Sequence, residues 1–215
     1  MRFLKVQVLL LLIALVLVGA LVADVVLKSQ AETELAAEVA RRVPGTTGVE
    51  ADISSFPFVG RLIMSGKVPK VVITAQHVGS DPVELSDIRV QVDEVEMDTA
   101  EARGGKAVVR SIKRGSVRAD LRADQVNPRL PRNFQVEFQS GKAVVKGPGS
   151  VQAELVATPE GSLQLRAAGK SLFELAFPKT DLLPCAPTAT FVTGAVRLAC
   201  SFEGVPPLLL NLAQR

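Results

Sequence analysis

The stretch GSVRADL, residues 115–121, decides the fold, because its apolar residues alternate strictly with polar ones. The apolar side chains from Val117 to Leu121 then share one face of a strand, while Arg118 and Asp120 point to the opposite face. The same alternation recurs in runs that end at Ile53, Val92, Phe138, Leu155, Ala167 and Phe202. Turn residues separate these runs, so we predict a mainly antiparallel sheet with one apolar face.

A helical pattern precedes the strands. Between Lys28 and Val43, apolar residues recur at every fourth position, with charged residues between them. Pro44 and Gly45 then end the helix. The apolar stripe of this amphipathic helix must pack against something, and mostly strands follow it, so we predict an α+β fold. No low-complexity linker interrupts residues 28–215, which we interpret as one domain.

We interpret residues 1–27 as a signal anchor or signal peptide. Two basic residues precede an unbroken apolar run from Val8 to Ala23, and the first acid is Asp24. This order is typical of a secretory signal or a transmembrane anchor, and the run with its apolar flanks approaches the roughly 20 residues that span a bilayer. Because the basic residues stay inside, we expect a single-pass protein of the cell membrane with its domain outside the cytoplasm. If the segment is cleaved, the domain is secreted or periplasmic.

The composition argues against several functions. The 215 residues include two Cys and one His, but neither Trp nor Tyr, and the net charge is +3. So few soft ligands leave no conventional zinc site, and we predict no metal and no cofactor. Without Trp and Tyr the usual stacking platforms are missing, so we expect no nucleic-acid partner. The chain has neither a nucleophile elbow nor an H-E-x-x-H motif, so we predict no catalytic residues and a protein that is not an enzyme.

Cys185 and Cys200 are the only cysteines of the chain. In the oxidising compartment that the signal segment indicates, such a pair persists as a disulfide, which is the prediction. Closing a loop of this size stabilises a fold by roughly 3 kcal/mol. Two buried thiols are the alternative.

A nearly continuous apolar cluster, from Phe56 to Met64, lies outside the strand pattern. Pro57 and Gly60 make it a poor strand. It is either a plug between helix and sheet or the wall of an apolar cavity, in which Phe and Met side chains adapt to acyl chains. For the cavity we predict lipid-binding side chains from this cluster and from inward strand positions: Phe56, Phe58, Leu62, Ile63, Met64, Phe134 and Phe138.

Charge is segregated between two neighbouring segments. Residues 81–101 contain eight acids against Arg89, and residues 103–132 contain nine basic residues against two acids. One interpretation is that the segments pair as strands and neutralise one another. The other is a basic face that contacts anionic phospholipid head groups at a membrane. For that face we predict four head-group residues: Lys113, Arg114, Arg118 and Arg122.

The order of these features resembles the LmeA-like phospholipid-binding family of actinobacterial envelope proteins. The matching elements are the N-terminal anchor, the helix that ends at Val43, the Phe56-Pro57-Phe58 cluster, the run from Val68 to Val78, and the segment around the two cysteines. The resemblance implies an extracytoplasmic phospholipid binder, similar in architecture to tubular lipid-binding domains. In such domains a curved sheet wraps a long helix, and we expect the same here.

The residues and the resemblance lead to one functional hypothesis. The sheet and the amphipathic helix enclose an apolar groove that holds acyl chains, because burying apolar area yields about 25 cal/mol per Å². The resemblance also links the chain to envelope lipid or lipoglycan assembly. The alternative is a non-enzymatic envelope scaffold, with a solid core, that binds a protein partner.

Overall fold

The alternation of apolar and polar residues is realised as antiparallel strands in the computed structural model of the protein. The structure describes residues 2–80, 83–103, 108–147, 153–158, 162–167, 169–176, 185 and 187–205. Within these ranges the strands are β1 (Thr46–Thr47), β2 (Glu50–Ile53), β3 (Lys67–Ser80), β4 (Val83–Met97), β5 (Val109–Arg122), β6 (Gln135–Gln139), β7 (Lys142–Lys146), β8 (Ala153–Ala157), β9 (Ser162–Ala167), β10 (Lys170–Ala176), β11 (Thr188–Val192) and β12 (Ala195–Phe202). The helices are α1 (Arg2–Arg42), α2 (Phe58–Ser65), α3 (Thr99–Arg103) and α4 (Ala123–Val126), and a 3-10 turn at Asn127–Arg129 continues α4.

The largest sheet has the strand order β1–β3–β4–β5–β12–β11, and β2 pairs with β3 beside β1. Every pairing in it is antiparallel. Strands β1 and β2 together form one edge, because Thr46 lies opposite Val78 and Ile53 lies opposite Val71 on the same neighbour. The predicted α+β fold with a mainly antiparallel sheet is confirmed.

Two smaller sheets complete the fold, a hairpin of β6 and β7 and a three-stranded sheet in the order β10–β9–β8. They cover the main core, which also includes side chains of β3, β4, β5 and β12. Phe138 of β6 is fully buried there and stacks on Phe191 of β11, with 6.0 Å between ring centroids. Leu121, Leu165 and Leu198 are equally buried, and burying one such side chain contributes about 1.5–3 kcal/mol.

A second core cluster lies towards helix α2, around Phe58, Val95 and Ile112. A break in the strand alternation divides it from the main core, since Lys113 and Arg114 are both exposed between the buried residues Ile112 and Val117. The buried apolar positions on β5 are therefore even-numbered before this point, at Ile112, and odd-numbered after it, from Val117 to Leu121. The apolar face of the sheet is split into two cores as a result.

Helix α1 lies along the edge that β1 and β2 form. The backbone N–H of Ile53 donates to the Glu32 carboxylate at 2.7 Å, so the helix satisfies a donor on the outer side of β2. The apolar stripe predicted for the helix is half-buried at Ala31, Leu35, Val39 and Val43, while Leu27 is exposed. The sheet thus flanks the helix on one side in the part of the chain that the structure describes, and a sheet that wraps the helix stays a prediction.

Helix α1 includes the predicted signal segment. The structure describes its side chains from Val18 onward. Within the described part of the chain, no helix has the length and apolar character that crossing a membrane requires.

The predicted disulfide is confirmed, because Cys185 and Cys200 are bonded to each other across a sequence separation of 15 residues. Cys200 lies on β12 and is buried in the main core. The bond ties the segment that precedes β11 to β12, the strand that neighbours β11 in the largest sheet.

Candidate functional site

A groove of about 490 Å³ separates helix α1 from the edge strands β1 and β2. One wall is a face of α1, and the other is the segment from Thr46 to Ala51. Its lining residues are Ser29, Glu32, Thr33, Ala36, Ala37, Ala40, Thr46, Gly48, Val49, Glu50 and Ala51. The volume falls within the range of ligand pockets in proteins.

Five of the eleven lining residues are Ala or Gly, and their small size helps to keep the groove open. Ala36 and Ala37 precede Ala40 by four and three residues, so both lie beside it on one face of the helix. Gly48 and Ala51 face them from the edge of the sheet. No side chain at these positions is long enough to fill the space between helix and strand. Along the helix the lining extends from Ser29 to Ala40, a rise of about 17 Å.

Asp24 joins helix α2 to helix α1 near the end of the groove that begins at Ser29. Its carboxylate is buried and accepts two hydrogen bonds, from the backbone N–H of Phe58 at 2.8 Å and from that of Val59 at 2.7 Å. These are two of the unpaired donors at the N-terminus of α2, and the N-cap residue Pro57 makes no side-chain cap of its own. A carboxylate of α1 therefore caps α2.

Helix α2 has apolar residues on two faces. Phe58 is buried in the second core cluster, and Val59 and Leu62 pack against that cluster half-buried. Ile63 and Met64 are exposed on the same helix. Two of the predicted lipid-binding residues, Phe58 and Leu62, therefore belong to the core. This agrees with the interpretation of the cluster as a plug between helix and sheet.

The remaining predicted lipid-binding residues are divided between the surface and the main core. Phe56 is 63% exposed, just before α2. Phe138 is fully buried in the main core, and Phe134 packs against it half-buried. The seven residues are thus spread over an exposed surface and two cores, and none of them lines the groove beside α1. Their assignment to lipid binding stays a prediction.

The four predicted head-group residues lie on β5 and are all exposed: Lys113, Arg114, Arg118 and Arg122. The Lys113 ammonium contacts the Glu94 carboxylate at 2.6 Å. The Arg122 guanidinium lies 3.7 Å from the Asp124 carboxylate. Such exposed pairs contribute little to stability, about 0–1 kcal/mol each.

Strand register places Arg114 opposite Asp93 and Arg118 opposite Arg89. The acidic strand β4 and the basic strand β5 are therefore neighbours, and their charges face one another. This agrees with the interpretation that the two charged segments pair as strands. The like-charged Arg89 and Arg118 are the exception, since such pairs repel. Strands β3 and β4 separate β5 from the groove edge, so the four residues do not form its rim. Their head-group role stays a prediction.

Asp98, just after β4, forms an ion pair with Arg110 of β5. The Asp98 carboxylate accepts hydrogen bonds from the Arg110 guanidinium, at 2.5 and 3.0 Å, and from the backbone N–H groups of Ala100 and Glu101. The Arg110 hydrogen bond is the main cause that lowers the pKa of Asp98, and the two backbone donors lower it further. These contacts hold a corner of the sheet together and leave the groove unaffected.

Sequence reasoning missed three features of this site. Asp24 was noted only as the acid that ends the apolar run, although it caps α2. Glu32 was one charge among several, although it binds the edge strand. Ala36, Ala37 and Ala40 stand in the sequence beside the apolar stripe of the helix, but no local pattern marks them as the wall of a groove.

Together the fold and the site define an α+β binding protein, with an open groove of small side chains beside exposed apolar residues. A family model described as LmeA-like phospholipid-binding matches residues 22–197. The chain therefore belongs to the LmeA-like phospholipid-binding family. The match includes Asp24, α2 and the whole groove, and it ends within β12, before Cys200. No curated protein and no solved structure matches the chain.

Proposed function

We propose that this protein binds phospholipid outside the cytoplasm, held at the membrane by the N-terminal part of α1, and that it takes an acyl chain into the groove between α1 and the β1–β2 edge. The observation that carries the proposal is the match of a phospholipid-binding family model to residues 22–197. That range contains every groove-lining residue.

The groove suits a narrow apolar chain better than a bulky ligand. Ala and Gly residues make up five of its eleven lining positions, and its length of about 17 Å along the helix far exceeds the reach of a single side chain. Burial of an acyl chain in it gains about 25 cal/mol per Å² of apolar area. Polar side chains at Ser29, Glu32 and Thr33 lie at the end nearest the apolar run, where a polar head group is accommodated.

The position of the groove on the chain supports delivery from a membrane. The apolar run ends at Ala23, and the groove begins at Ser29 on the same continuous helix. Lys28 lies between them and pairs with Glu32 at 3.4 Å. An acyl chain leaving the bilayer along α1 reaches the groove within two helical turns, and Lys28 supplies a cation for an anionic phosphate group. In this arrangement the domain stays outside the cytoplasm.

A role in envelope lipid or lipoglycan assembly follows from such binding. A domain anchored beside its own lipid site presents a phospholipid at the outer surface of the membrane. We place the sheet around the lipid-loaded helix as in tubular lipid-binding domains, with the bound chain filling the space between them.

A scaffold that binds a protein partner is the second candidate function. The observation that favours it is the dense main core, in which Phe138, Leu165 and Leu198 are almost completely buried. That core has no room for lipid at those side chains. The groove beside α1 lies outside the main core, so the two candidates differ in what the groove contains.

Photo-crosslinking tests the proposal. The full chain is reconstituted in vesicles that contain a phospholipid with a diazirine at the end of one acyl chain, and crosslinked peptides are identified by mass spectrometry. We expect crosslinks in the groove segment, residues 29–51, in addition to those in the apolar run. Crosslinks confined to residues before Asp24 overturn lipid binding in the groove and favour the scaffold.

A further inference from the structure

Helix α2 has an apolar outer face that the fold leaves uncovered. Met64 is 89% exposed and Ile63 is 44% exposed, and Phe56 just before the helix is 63% exposed. The inner face of the same helix already buries Phe58 in the second core cluster. The outer face is therefore not needed for packing within the described part of the chain, and three large apolar side chains within nine residues are costly in water.

A second exposed apolar surface lies on helix α1 beside the point where α2 is attached. Leu21, Val22 and Val25 are between 47% and 59% exposed. Asp24 lies next to this surface on the same helix but is buried, and its carboxylate holds the first two residues of α2 through two backbone hydrogen bonds. The attachment fixes α2 at the level where the apolar run of α1 ends.

We infer that Ile63 and Met64 on the outer face of α2, together with Phe56 just before the helix, insert into the outer leaflet of the membrane, and that Asp24 is the residue that positions α2 there. The inference rests on the proposed function, because it takes α1 as the membrane anchor. It adds a second membrane contact, which fixes the orientation of the domain on the bilayer.

The chemistry of the face fits a lipid surface. A helix that lies in the interface buries its apolar side chains about 5–10 Å into the boundary of head groups and acyl chains. Arg61 is exposed on the same helix and has the charge that anionic head groups attract. The apolar surfaces of α1 and α2 are adjacent through Asp24, so one bilayer covers both.

The orientation bears on the groove. With both α1 and α2 at the bilayer, Ser29 and the mouth of the groove lie just above the leaflet, so an acyl chain need not cross open water to enter. A domain tethered by α1 alone rotates freely about its anchor and loses this alignment.

Tryptophan fluorescence tests the inference, because the chain contains no Trp and no Tyr. Met64→Trp introduces the only indole at the tip of the proposed contact. Gln135→Trp is the matched control, an exposed position on β6 in the region of the main core. Each full-chain variant is placed in vesicles whose phospholipids are brominated near the top of the acyl chains. Flotation of the vesicles reports anchoring independently.

We expect both variants to float and the indole of Met64→Trp to be quenched several-fold more than that of Gln135→Trp. Equal quenching in floating samples overturns the α2 contact and leaves the anchor standing. Failure to float overturns the anchor itself, together with this inference.

The role of Asp24 is tested in the Met64→Trp background. Asp24→Ala removes both acceptors and should lower the quenching several-fold while flotation is unchanged. Asp24→Asn keeps one carbonyl oxygen as an acceptor and should restore part of the quenching. Unchanged quenching in Asp24→Ala overturns the positioning role.

Discussion

At Gly115 the backbone of β5 passes directly beneath the ring of Phe202. A Cβ atom at this position would lie 2.1 Å from a ring carbon, so the ring must move if any side chain is introduced. Replacing a glycine within a strand normally helps by roughly 0.5–1 kcal/mol, but here overpacking prevails. Gly115→Ala should lower the free energy of unfolding by about 1–3 kcal/mol, measured by chemical denaturation.

The control for Gly115→Ala changes Phe202, whose ring contacts Gly115. Phe202→Leu in the Gly115→Ala background leaves room for the new methyl group and should recover part of the loss. Strict additivity of the two changes in a double-mutant cycle would mean that the ring and the glycine do not interact.

Ser55 has a buried hydroxyl with no hydrogen-bond partner among the residues that the structure describes. Leaving such a group unpaired costs about 1–3 kcal/mol. Ser55→Ala should therefore raise the free energy of unfolding by about 1 kcal/mol in urea titrations. The neighbouring Ser54 is exposed, so Ser54→Ala should change stability by less than about 0.5 kcal/mol. A clear loss of stability in Ser55→Ala alone would show that the hydroxyl has a partner in solution.

At the scale of elements, the corner between β4, α3 and β5 depends on an ionised Asp98. Arg110 is the main cause that lowers the pKa of Asp98 below its usual value of 3.8. Because the folded-state pKa is the lower one, this contribution to stability is present above the usual pKa and is lost as the pH falls through the folded-state value.

Arg110→Met removes the main cause of the lowered pKa. Wild type should be more stable than the variant at neutral pH. The difference should shrink as the pH falls from the usual pKa of 3.8 through the lower folded-state pKa, below which Asp98 is protonated in both proteins. Thermal unfolding at a series of pH values measures this difference. A stability difference between the two proteins that stays constant down to the lowest pH measured would contradict the role of Asp98.

Elements differed in how well the sequence predicted them. Strands β4 and β5 follow from alternation, which depends on neighbouring residues only, and α1 follows from its fourfold spacing up to Val43. Helix α2 was missed, because Pro57 and Gly60 argue against regular structure locally. Its N-terminus is capped by Asp24, a residue 34 positions away in the sequence, and no local pattern contains such a contact.

For the whole molecule, the sequence indicated the fold class and the family but not the groove beside α1. The predicted lipid-binding residues come from an apolar cluster around Phe56 and from strand positions, which the sequence displays directly. The groove lies between Ala36, Ala37 and Ala40 on the helix and Gly48 at the edge of the sheet. A space between two elements depends on their distance, which composition and periodicity do not specify.

The main core and the groove give the molecule two distinct parts. Side chains of four central strands and of the smaller sheets fill the core. The groove lies along the outer edge of the same sheet, between that edge and α1. Stability therefore comes mainly from residues such as Leu121 and Val196, while the proposed ligand binding depends on the edge. Substitutions in the groove should alter binding without unfolding the protein.

Native mass spectrometry of the full chain, released from detergent after incubation with phospholipid, tests lipid binding in the groove most directly. Ala40→Phe fills the groove, and Glu34→Phe places the same side chain on an exposed position of α1 outside it. We predict one phospholipid retained by the wild type and by Glu34→Phe, and a several-fold loss in Ala40→Phe. Equal retention by all three chains, or none by the wild type, would contradict the account.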